Sequence, residues 1–100
     1  MTERQFVLED FTGLIGQIFM VDETDVPPIS LTLKAADALA VRGQRPALRP
    51  PFSLTFLAQD PRILEQRLWR LQNAALGSLT LFLVPTGKDE RGVFYDCTFN

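Results

Sequence analysis

Residues 59–77 read QDPRILEQRLWRLQNAALG, and the fold class turns on whether they coil or extend. Taken as a helix, Asp60 is an N-cap, Pro61 sits at the first helical position and Gly77 follows the end. Ile63, Leu64, Leu68, Leu71 and Ala75 then line one face at helical spacing. Taken as β structure, the stretch divides into a loop through 60–66, a strand through 67–72 and a turn before Leu79. In that reading Arg67, Trp69 and Leu71 share a face. Periodicity inside the stretch slightly favours the helix.

The rest of the chain is punctuated like a β protein. Pro27–Pro28, the run from Pro46 to Pro51, Asp60–Pro61, Gly77, Gly87 and Gly92 cut it into short segments. Ile29, Leu31, Leu33 and Ala35 alternate with Ser30, Thr32 and Lys34, and Phe52, Leu54 and Phe56 alternate with Ser53 and Thr55. Leu79, Leu81 and Leu83 form one face of a further strand, and Thr80, Phe82 and Val84 form the other. TGKDERG at 86–92 reads as a glycine-bounded hairpin loop leading into a strand at 93–99. An earlier strand at 17–22 turns through the acidic DETDVPP into the Ile29 strand.

Phe6, Leu8, Phe11, Leu14 and Ile15 recur at helical spacing, which predicts a short helix over 8–15 ended by Gly16. Such a helix would plug one end of the fold or cover the apolar face offered by Phe82 and Val84. The expected architecture is mainly β: a small antiparallel β-barrel or sandwich of five to six strands with a short N-terminal helix, one domain over 1–100. If the last strand lacked a neighbour, it would invite strand addition or dimer formation.

Composition restricts the chemistry. The chain has 100 residues, 46% of them hydrophobic and 22% charged, with a net charge of −2. That balance is ordinary for a globular domain and gives no electrostatic case for nucleic acid as the partner. There is no basic-then-apolar leader, and the longest apolar runs are far short of the roughly 20 residues a membrane helix needs. With no histidine at all, Ser–His and Cys–His nucleophiles and imidazole metal ligands are excluded. No glycine-rich phosphate loop is present either. The expectation is therefore a cytoplasmic protein that is not an enzyme and carries no metal or cofactor.

The candidate sites are few. Cys97 is the only cysteine and lies on the Val93, Tyr95, Phe99 face of the last strand, which points to a small core residue rather than a reactive thiol. Asp22, Glu23 and Asp25 form an acidic hairpin tip, either solvated or able to hold a hard cation such as calcium. Asp89 and Glu90 are neutralised locally by Lys88 and Arg91. In VRGQRPALRPPF, Arg42, Arg45 and Arg49 alternate with prolines in an extended loop that can dock an acidic groove on a partner. Trp69 with Arg67 and Arg70 is either a stacking surface or a core tryptophan with one wet end. Phe82 is the apolar residue most exposed to a partner if the helix leaves it uncovered.

The chain resembles a family of small bacterial proteins of unknown function. The resemblance rests on Phe11, Gly16 and Phe19, on Arg49–Leu54 with Phe56, on Ala75–Gly77, on Leu81–Pro85 with Gly87, and on Tyr95, Phe99 and Asn100. It covers nearly the whole chain, and its motifs are core and turn residues. It implies a strand at Leu68, although Arg67 replaces the usual glycine and Asn73-Ala74 replaces the usual His-Pro. Genes of that family often lie beside those for proteins with a phage-tail-collar-type domain. The resemblance thus implies an accessory or structural partner of a tail-like assembly. The functional expectation is an interaction module that binds itself or a neighbouring-gene protein, with a small-ligand-binding β-barrel domain as the alternative.

Overall fold

A computed structural model describes residues 6–40 and 50–99. Six strands follow a single helical turn: α1 (Glu9–Thr12), β1 (Ile18–Val21), β2 (Ser30–Ala38), β3 (Phe52–Ala58), β4 (Arg67–Asn73), β5 (Gly77–Asp89) and β6 (Gly92–Phe99). The stretch that decides the fold is extended: 59–66 is a connection, and β4 runs from Arg67. The helical stripe breaks up accordingly. Trp69, Leu71 and Asn73 point inward, while Leu68, Arg70 and Gln72 point outward. Asp60 does the chemistry of an N-cap without a helix, because its Oδ1 accepts the Arg62 backbone N–H at 2.9 Å and closes a local turn.

Every neighbouring pair is antiparallel, and the order β1-β2-β3-β6-β5-β4 closes where β4 pairs with β1. Strand β6 lies between β3 and β5, so the last strand is not an edge open to strand addition. Alternation follows from closure, since one face of each strand lines the interior and the other meets solvent. Leu31 and Leu33, Leu54 and Phe56, Leu81 and Leu83, and Tyr95 and Cys97 fill the interior. A bulge between Leu33 and Ala35 shifts the phase of β2, so that Ala36 rather than Ala35 pairs with inward-facing Leu54.

Two expectations are corrected here. TGKDERG is not a loop: β5 continues to Asp89 through a register shift between Pro85 and Gly87, and only Glu90 and Arg91 turn the chain. Pro85 is tolerated there because β4 pairing ends at Leu83 and leaves that side of β5 free. The turn returns through Gly92 at φ 137°, where an added Cβ would lie 2.0 Å from the Ala58 carbonyl oxygen. The second correction concerns the helix, which spans four residues rather than 8–15 and leaves Phe82 uncovered.

The helix serves instead as a carrier for Phe11, which enters one end of the ring. Its ring centroid lies 5.3 Å from Phe6, 6.4 Å from Phe19 and 5.9 Å from both Phe52 and Phe99. Phe52 and Phe99 are themselves stacked at 4.4 Å. The tilted ring pairs add to burial by roughly 0.5–1.5 kcal/mol each. Gly16, at φ 95°, then turns the chain into β1 and donates its N–H to the Leu33 carbonyl at 2.8 Å.

The other end is closed differently. The 59–66 connection passes β6 and β5 to reach β4, in the manner of a Greek key. Buried Tyr95 pins it: the phenol oxygen accepts the Leu64 N–H at 2.9 Å and donates to the Arg62 carbonyl at 3.4 Å. Among the described residues, no helix is long and apolar enough to cross a membrane.

Candidate functional site

The interior of the ring is occupied by its own side chains, and open space is found at the pinned end. There a cleft of about 250 Å³ separates the β1–β2 connection from the 59–66 connection. Val26, Pro27 and Ile29 form one wall, Ile63 and Leu64 the other, and Trp69 lies at the base. The polar groups of this base are already committed. Trp69 Nε1 donates to the Glu65 carbonyl at 2.9 Å, and the Leu64 N–H is held by Tyr95.

The wall formed by the acidic tip is zipped to β4. Asp22 N–H donates to the Arg70 carbonyl at 2.8 Å, and Glu23 Oε2 accepts the Arg70 N–H at 2.8 Å. Asp22 Oδ2 accepts from Gln72 Nε2 at 2.9 Å, and Asp25 pairs with Arg67 at 3.3 Å. These carboxylates therefore diverge onto β4 partners instead of converging on one point. Among the described residues, no group of three or more acidic or cysteine side chains is placed to hold a metal ion.

A second feature lies on the outside of the sheet. Leu68 on β4 is directly opposite Phe82 on β5, and both side chains face solvent at 59% and 43% exposure. Half-buried Val84 continues this apolar patch along β5. An exposed aliphatic–aromatic cross-strand pair stabilises a sheet modestly, by roughly 0.2–1 kcal/mol. It also leaves apolar surface that a partner can cover.

The expected site residues fall in different places. Phe82 is at the surface, uncovered by the helix. Trp69 is not a stacking platform: it is 2% exposed, and the Arg67 guanidinium lies over its ring at 3.6 Å. Its place on the inward face of β4 explains this, and the Arg67 guanidinium covers one face of the indole. Arg42, Arg45 and Arg49 lie outside the described residues. Cys97 is buried, and burial pushes its thiol up to about 12, as suits an inert core residue. Desolvation likewise raises the Tyr95 phenol.

Two residues carry more than their sequence suggested. Asn73 is a buried polar group on β4 whose Oδ1 accepts the Ala75 and Leu76 N–H groups, both at 2.9 Å. Its Nδ2 donates to the Ile18 carbonyl at 3.0 Å, so one side chain shapes the β4–β5 turn and ties it to β1. The Asn four residues before Gly77 was the available signal. Ile63, 59% exposed at the lip of the cleft, looked like part of a buried helical stripe.

Residues 6–99 match a family described as Domain of unknown function (DUF6916), and the chain belongs to that family. No curated protein and no solved structure shows significant similarity to it.

Proposed function

We propose that this member of the family is a non-enzymatic interaction module that docks through the outer face of β4 and β5. The observation that supports this most directly is the Leu68–Phe82 pair, two large apolar side chains set opposite each other and left in water by a fold whose core is complete without them. The non-enzymatic part draws on the side chains that remain for catalysis. The buried phenol is bonded to two backbone groups, and the carboxylates of the acidic tip are spread over arginine and amide partners. The partner is a second copy or the product of a neighbouring gene, a phage-tail-collar-type protein by the resemblance described above. A single buried cysteine fits a reducing cytoplasmic setting.

Co-expression with the neighbouring genes, followed by pull-down, tests this reading. The expected result is retention of one product, or a dimer at high concentration, with loss of either on Phe82→Ser. A strictly monomeric protein that retains nothing contradicts it. A second reading, a small-ligand domain, is favoured by the cleft at the pinned end. At about 250 Å³ the cleft lies just under the roughly 300–1,000 Å³ of ordinary ligand sites. A fragment-sized apolar compound that raises the melting temperature, and does so no longer after Ile63→Glu, would favour that reading.

A further inference from the structure

The cleft has a chemistry of its own, distinct from the outer patch. Its walls are aliphatic, and its base is an indole whose N–H is spoken for. The nearby Leu64 N–H is spoken for too, so neither of these donors would repay a polar ligand for its lost hydration. An apolar group loses nothing there and removes the Ile63 and Pro27 side chains from water.

Charge is confined to the rim. Arg62 is held by Asp60 through both its Nε and its terminal nitrogen. Arg67 is shared between Asp25 at 3.3 Å and Glu65 at 3.9 Å, so two carboxylates face one guanidinium. The rim therefore carries one negative charge in excess, on side chains that are 60% and 79% exposed. A cation beside the opening would meet an unshared carboxylate at little desolvation cost.

We propose that this cleft is a docking point for a partner's peptide segment, in which one bulky apolar side chain enters the cleft and an adjacent lysine or arginine meets Glu65 and Asp25 at the rim. The proposal deepens the interaction-module reading by assigning it a second contact, separate from Leu68 and Phe82. At about 250 Å³ the cleft is smaller than ordinary ligand sites, and anchoring by one buried side chain with a polar surround is how peptide contacts concentrate their affinity. The residue next to the anchor sets specificity through the rim charge.

The test is selection of a random heptapeptide display library on the intact protein. Synthetic copies of the enriched peptides are then titrated while the emission of Trp69, the only tryptophan, is followed. The expected sequences carry a leucine, isoleucine, methionine or phenylalanine beside a lysine or arginine. Ile63→Glu, at an exposed position, should weaken their binding at least tenfold, and Glu65→Gln a few-fold. The Leu68→Ser/Phe82→Ser double variant should bind them as tightly as the parent. Peptides without the apolar–basic pattern, or no enrichment, overturn the proposal. Binding lost in the outer-face variant but kept in Ile63→Glu also overturns it while upholding the outer face as the interface. Occupancy seen only between copies of the chain, and abolished by Ile63→Glu, replaces the peptide with a second copy and overturns the assignment.

Discussion

The two ends of the ring are closed by opposite means. At one, Phe11 is driven into a cluster with Phe6, Phe19, Phe52 and Phe99, and the seal is apolar. At the other, a connection is held by a tyrosine hydroxyl and an acidic loop is held by arginines, and a cleft remains between them. Aromatic burial is strong and non-directional, so it fills space. Hydrogen bonds and exposed ion pairs are weaker and directional, so they can hold two segments apart as well as together. The plugged end is where the fold is made stable, and the pinned end is where it keeps a shape that something else can enter.

The comparison breaks first at the plug. Phe11→Ala should cost about 3–5 kcal/mol, the range for truncating a fully buried phenylalanine, measured as a lowered denaturant midpoint with unchanged slope. Tyr95→Phe comes next at about 1–3 kcal/mol, because the Leu64 N–H is left buried without an acceptor. Amide exchange should locate that loss, with the Leu64 amide exchanging faster and the amides of β1 near Phe19 unchanged. The smallest effect belongs to the acidic latch. Arg70→Gln removes the contacts to the Asp22 carbonyl and carboxylate and should cost at most about 1 kcal/mol. The ionic part of that difference should fade in 1 M salt, where the screening length is about 3 Å. A latch variant that destabilised as much as the plug variant would erase the distinction between the ends.

The sequence was most legible where burial alone dictated the pattern. Alternation in β2 up to its bulge, in β3 from Phe52 to Phe56, in β5 up to Leu83 and in β6 marked the inward side chains, and Phe6 and Phe11 were visible in the helical spacing near the N-terminus. It was least legible at 59–77, for a physical reason. Asp60 and Pro61 serve a turn as readily as a helix start, since both uses need a side-chain oxygen facing a nearby N–H. Ile63 and Leu68 completed a helical stripe only on the assumption that apolar residues are buried, and the fold buries neither. Of the candidate binding residues, Phe82 lies at the surface and Trp69 takes the core alternative. The cleft itself is made by two segments distant in sequence, and no local pattern announces it.

Ile63, Leu68 and Phe82, the apolar residues proposed to touch a partner, are exposed along with Val7, Ile15, Ile18 and Leu39. On the proposed reading, Leu68 and Phe82 contribute to binding and little to stability. Denaturant unfolding of the Leu68→Ser/Phe82→Ser double variant, run beside its association with itself or with the co-expressed partner, measures both at once. The expected result is stability within about 1 kcal/mol of the parent, allowing for the lost cross-strand contact, and association abolished. A loss of several kcal/mol with association intact would contradict it.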